Sequence, residues 1–84
     1  MDYPIPMAKI SFYAAARAAA GTSTTEVEAA NLGELISNLG KKFPSLAPVL
    51  PSCSYLKNGV ACRGAESSLK DFDQIDVLPR FAGG

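Results

Sequence analysis

The sequence predicts an α+β two-layer domain, with one main helix and one short helix over a mixed sheet of four or five strands. Three observations carry that expectation. Leu32, Leu35, Ile36 and Leu39 recur at helical spacing, and Phe43 continues the stripe. Asn58-Gly59 lies between two apolar-bearing arms, the strongest short-range hairpin signal. Short strand-like segments stand at both ends, around Ile10 and Phe12 and from Gln74 to Leu78.

Residues 8–14 alternate apolar and polar and read as a half-buried strand. Ala14 to Ala20 offers strong helix formers, and Gly21 closes the run as a helix-ending residue. About two turns of helix hold only by packing. Thr22 to Glu28 is rich in β-branched residues and reads as a second strand. Asn31 is a good N-cap, and Glu34 completes the capping-box spacing. Lys41 and Lys42 suit the C-terminal end of the helix dipole, and Pro44 stops the helix.

Residues 44–52 hold three prolines and two serines and read as an irregular loop. A two-residue turn at Asn58-Gly59 pairs Lys57 with Val60, Leu56 with Ala61 and Tyr55 with Cys62. Cys53 then lies diagonally from Cys62 at roughly 7–8 Å, beyond disulfide reach, so both thiols are expected free. Gly64 to Asp73 is polar, with Leu69 and Phe72 as expected anchors. Gln74 to Leu78 reads as the final strand, after which Pro79 ends ladder pairing.

The chain has 84 residues, one domain's worth, with no linker or internal repeat. Residues 1–7 read as an N-terminal extension and 79–84 as a flexible tail. Eight Lys and Arg balance eight Asp and Glu, which does not suit a nucleic-acid binder. Histidine is absent, and with it the commonest general base and metal ligand. Two cysteines without histidine are too few for a zinc or iron–sulfur site. The acids Asp71, Asp73, Asp76, Glu26 and Glu28 read as solvated surface groups. An enzyme acting alone is not expected, nor a bound metal or permanent cofactor. An acid and prolines stand where a signal peptide wants a cation and an apolar run, and no apolar stretch is long enough to span a bilayer. A cytoplasmic protein without membrane partners is the expectation.

What remains is the end of the chain. Pro79, Arg80, Phe81, Ala82, Gly83 and Gly84 follow the last strand. Extended, six residues reach roughly 20 Å. Glycines without a Cβ can thread a narrow slot in another protein and adopt any φ it demands. A Gly84 carboxylate would be unhindered, but a carboxylate is a poor electrophile and needs activation on a partner. Phe81 either fills a partner's pocket or folds back on its own domain. Arg80 either meets a partner's carboxylate or stays solvated.

Three segments together resemble the ubiquitin-like sulfur carriers of the MoaD/ThiS type: Ile10-Ser-Phe-Tyr-Ala-Ala-Ala-Arg17 with Gly21, the Asn58-Gly59 hairpin, and Ile75-Asp-Val-Leu-Pro-Arg-Phe-Ala-Gly-Gly84. The first and last are most similar to the small subunit of molybdopterin synthase. The resemblance implies a β-grasp fold and a cycle run by partners. An E1-like activating enzyme uses ATP to adenylate Gly84, a sulfur donor makes the thiocarboxylate, and a molybdopterin synthase large subunit uses that sulfur. It implies Gly84 and Gly83 as the reactive end, with Pro79, Arg80, Phe81 and Ala82 facing the partner. Arg80 and Ala18 depart from the family, which often has proline and glutamate there. Thiamine or cysteine synthesis, or ubiquitin-like protein modification, are the alternative destinations.

Overall fold

A computed structural model describes residues 5–79 of the chain. Its strands are β1 (Met7–Phe12), β2 (Thr24–Glu28), β3 (Cys53–Lys57), β4 (Val60–Ala61) and β5 (Gln74–Pro79). Its helices are α1 (Ala14–Ala20) and α2 (Leu32–Lys42), with a 3₁₀ turn over Leu50–Ser52. The five strands form one mixed sheet in the order β2-β1-β5-β3-β4. β1 and β5 pair in parallel, and every other neighbouring pair is antiparallel.

Alternation along the strands decides which face is covered. Ala8, Ile10 and Phe12 of β1, Ile75 and Val77 of β5 and Tyr55 of β3 are buried. They share one cluster with Leu32, Leu35 and Leu39 of α2. Phe12 meets Phe43 edge-on, with ring centroids 5.7 Å apart. The intervening strand residues form the opposite face. One row of it runs Thr24, Ser11, Asp76, Leu56, Ala61 across all five strands.

α2 begins as its capping spacing requires. Asn31 Oδ1 accepts from the Glu34 amide at 2.8 Å. The Glu34 carboxylate reaches back one residue further than a capping box would, accepting from the Ala30 amide at 2.9 Å. The amides of Leu32 and Gly33 donate to Ser67 O and Ala65 O, at 2.9 and 2.8 Å. The orphan donors of the first turn are therefore satisfied by the loop that follows β4. At the other short helix, Gly21 ends α1 with φ +76 and donates to Arg17 O.

The hairpin register is the expected one: Lys57 opposes Val60, Leu56 opposes Ala61, and the Cys62 amide donates to Tyr55 O. Asn58 and Gly59 both have positive φ, +51 and +86. Cys53 and Cys62 are free thiols, half-buried and buried.

Several expectations need correction. β1 stops at Phe12, because Ala14 turns to φ +52 and opens α1. It starts at Met7, and the Pro6 carbonyl already accepts from the Ala29 amide, so the pairing reaches into the expected extension. β2 starts at Thr24, since Thr22 bends back to bond Thr24 O. The proline-rich loop is a series of turns that delivers Leu46 and Leu50 into the core. Leu69 is buried as expected, but Phe72 is 69% exposed. Asp73 is buried rather than solvated. The ladder also runs one residue beyond Leu78, with Pro79 opposite Cys53.

Candidate functional site at the exit of β5

Pro79 is the last described residue, so the site is read at the C-terminal end of β5. Hydrogen-bond parity explains why proline is tolerated on a strand with two neighbours. Lys9 and Tyr13 donate to Asp73 O and Val77 O, so the odd residues of β5 face β1. Pro79 would therefore point an amide toward β1, which has ended before that row. No ladder bond is lost.

Three groups flank the exit. On the β1 side, Tyr13 donates its amide to Val77 O at 3.3 Å, and its side chain is 45% exposed. On the β3 side stands Cys53, whose Sγ donates to Val49 O at 3.3 Å. Burial pushes the Cys53 thiol up, so it persists as a donor rather than a thiolate at neutral pH. Tyr55 beside it is likewise pushed up, by burial first and by Cys53 second. Its hydroxyl donates to Leu50 O at 3.0 Å. On the open face, half-buried Leu78 lies opposite Ser54, one step from the half-buried Leu56. The Tyr13 amide bonds to β5, the Cys53 and Tyr55 side chains tie β3 to the preceding turns, and Leu78 with Leu56 leaves half-buried apolar surface on the open face. None of them is poised as a base or nucleophile.

Of the residues expected to act, Pro79 is placed at this exit. Arg80, Phe81, Ala82, Gly83 and Gly84 lie outside the described residues. Tyr13, Cys53 and Leu78 were not expected at the site. The hairpin alone could not place Cys53 there, because the partner of β3 on its other side is a strand seventeen or more residues away in sequence. Among the described residues no group of three His, Cys, Asp or Glu could hold a metal ion. No helix among them is long and apolar enough to cross a membrane.

A long helix packed over a sheet whose first and last strands run parallel at its centre defines a ubiquitin-like β-grasp protein. The ThiS family model matches residues 10–84, and the chain belongs to that family. Solved structures agree on the fold. The small archaeal modifier protein 1 of Methanosarcina acetivorans is 29% identical, with TM-score 0.86 over 95% of this chain and 98% of that one. Its counterpart from Haloferax volcanii is 21% identical, with TM-score 0.81 over 93% and 99%. The complex of subunits 1 and 2 of the molybdopterin-converting factor from Helicobacter pylori contains a chain 24% identical, with TM-score 0.71 over 93% and 99%. No curated protein matches the chain.

Proposed function

We propose that this protein is a sulfur carrier whose Gly84 carboxylate is activated and loaded by partner enzymes, and that it serves as the small subunit of a molybdopterin synthase. The observation that carries the reading is that the family match runs through Gly83 to Gly84, five residues beyond Pro79, the last described residue of β5. In the proposed cycle a carboxylate oxygen of Gly84 attacks the α-phosphorus of ATP and pyrophosphate leaves. Hydrosulfide from the sulfur donor then attacks the acyl carbon and AMP leaves, which yields the thiocarboxylate. The activating enzyme supplies the nucleotide and the second protein holds the sulfur acceptor. The carrier contributes reach and an end narrow enough to enter both sites. The likeness to a molybdopterin-converting subunit in complex with its second subunit supports a large-subunit partner.

A second reading has its own support. The Methanosarcina relative is a small archaeal modifier protein, and it is the more similar of the two in identity and TM-score. Under that reading a lysine ε-amine of a target protein attacks the acyl carbon of the Gly84 adenylate, AMP leaves, and an isopeptide bond forms.

Intact-mass measurement after incubation with an activating enzyme, ATP and a sulfur source separates the two. A carrier gains the mass difference of sulfur for oxygen, and a modifier instead shifts into larger conjugates. No change in either direction overturns both readings. Deleting Gly84 should abolish loading and leave the melting temperature nearly unchanged, because among the described residues the buried apolar core runs from Ala8 to Val77 and a terminal residue contributes little to packing.

A further inference from the structure

Among the described residues, β2 is an edge strand of the sheet with no strand paired on its outer side. Its polarity follows from the ladder. Phe12 donates to Ser23 O and Ala29 donates to Pro6 O, so the odd residues of this stretch bond to β1. The carbonyls of Thr24, Glu26 and Glu28 therefore point outward. Each of the three is taken. Thr22 Oγ1 donates to Thr24 O at 3.1 Å, Lys42 Nζ to Glu26 O at 3.1 Å, and Asn38 Nδ2 to Glu28 O at 2.8 Å. Asn38 and Lys42 are one helical turn apart on α2, so their four-residue spacing meets carbonyls two residues apart on the strand.

We infer that Asn38 and Lys42, with Thr22, form a lock that closes the β2 edge to strand addition by a second copy of this chain. A strand pairing there would donate to those outward carbonyls, and each already has a side-chain donor bonded on the side from which the incoming amide must approach. Without the lock the edge would invite pairing. It is five residues long, three of them β-branched, and it contains no proline. The opposite edge, β4, has only two residues. Glu26 and Glu28 add a second barrier. Both are exposed on the open face, and strand pairing between two copies would bring their carboxylates together.

The test compares the intact protein with an Asn38→Ala/Lys42→Ala variant by sedimentation equilibrium. Both are measured in low salt and in about 0.5 M NaCl, where the Glu26 and Glu28 repulsion is screened. The wild type is expected to stay at 8.8 kDa, and the variant to rise with concentration toward twice that mass in high salt. Adding Glu26→Pro to the variant should restore the monomer. Proline removes the outward amide at position 26 without removing a bond to β1. Circular dichroism melts verify that each variant is folded. If the double variant does not fold, Lys42→Met, which keeps the apolar stem and removes the donor, takes its place. A folded variant that remains monomeric at both salt concentrations overturns the inference. So does association that persists in the presence of Glu26→Pro, because it would then run through another surface.

Discussion

Asn58 and Asp73 tie the hairpin turn to the start of β5. Asn58 Nδ2 donates to Asp73 Oδ1 at 2.9 Å, and Asn58 Oδ1 accepts from the Gln74 amide at 2.9 Å. The second carboxylate oxygen of Asp73 accepts from the Lys70 amide at 2.8 Å. One side chain thus stands at φ +51 to close the hairpin and also sets the register of the adjoining strand.

This arrangement predicts an acid-sensitive contribution to stability. Burial alone would raise the Asp73 carboxyl, but the bonds from Asn58 and Lys70 and the nearby Lys57 and Lys70 charges outweigh it, so it lies below its ordinary 3.8. A carboxylate lowered by folding stabilises fully above its unfolded value and loses that stabilisation as pH falls through the folded one. Thermal melts of wild type and Asp73→Asn should therefore differ most near neutral pH, with the gap closing below about pH 3.8. A gap independent of pH would contradict the assignment. Asp73→Ala, which strands two donors, should cost about 1–3 kcal/mol.

The two glycines inside α2 should respond to alanine with opposite signs. A Cβ on Gly33 would lie 3.0 Å from Ala65 Cβ and 3.2 Å from the Ala65 carbonyl oxygen. That carbonyl is fixed by its bond from the Gly33 amide. A Cβ on Gly40 meets only ordinary contact, 3.5 Å from Ala47 Cβ. Gly40→Ala should stabilise by up to about 1 kcal/mol through helix propensity. Gly33→Ala should destabilise by about 1–2 kcal/mol despite the same propensity gain. Urea unfolding midpoints would show both, and equal signs would count against the close approach.

Phe72 and Leu69 separate surface from anchor. Phe72 holds φ +66, a strained conformation for a bulky residue, and its ring is exposed with Lys9 Nζ 5.7 Å from the centroid. Phe72→Gly relieves about 1–2 kcal/mol of strain. It sacrifices about 0.5–1 kcal/mol in chain entropy and a similar amount in the cation–π contact. Stability should stay within about 1 kcal/mol of wild type. Leu69→Ala should instead cost about 2–5 kcal/mol. The reverse order in denaturant melts would place Phe72 in the core.

Leu46 makes the same point for the proline-rich turns. It is fully buried, and the Leu46 carbonyl accepts from the amides of Val49 and Leu50. Leu46→Ala should cost about 2–5 kcal/mol. A loss under about 0.5 kcal/mol, the usual range for a surface loop, would remove this segment from the core.

Local physics made several elements legible. The Leu32, Leu35, Leu39 stripe and the Asn31 cap depend only on residues within a few turns of one another, and the helix formed where they placed it. The Asn58-Gly59 turn requires positive φ at both positions, which set the register of β3 against β4 residue by residue. Gly21 ended α1 for the same reason. Pro79 could be placed after the final strand from the sequence, but Tyr13 and Cys53 could not be placed beside it, because they reach it through strand partners distant in sequence.

By itself, the amino-acid order determined where the helices cap, where the hairpin turns and which strand side chains are apolar, since each depends on neighbours along the chain. Tertiary structure alone decided that β5 lies between β1 and β3, that Asp73 is worth burying, and that Leu46 belongs inside. It also decided that Asn38 and Lys42 cover the β2 carbonyls. The physical reason is shared: each depends on groups from segments far apart in the chain, the β1 and β3 neighbours of β5, Asn58 beside Asp73, the core around Leu46 and α2 beside β2, and these meet only when the domain folds.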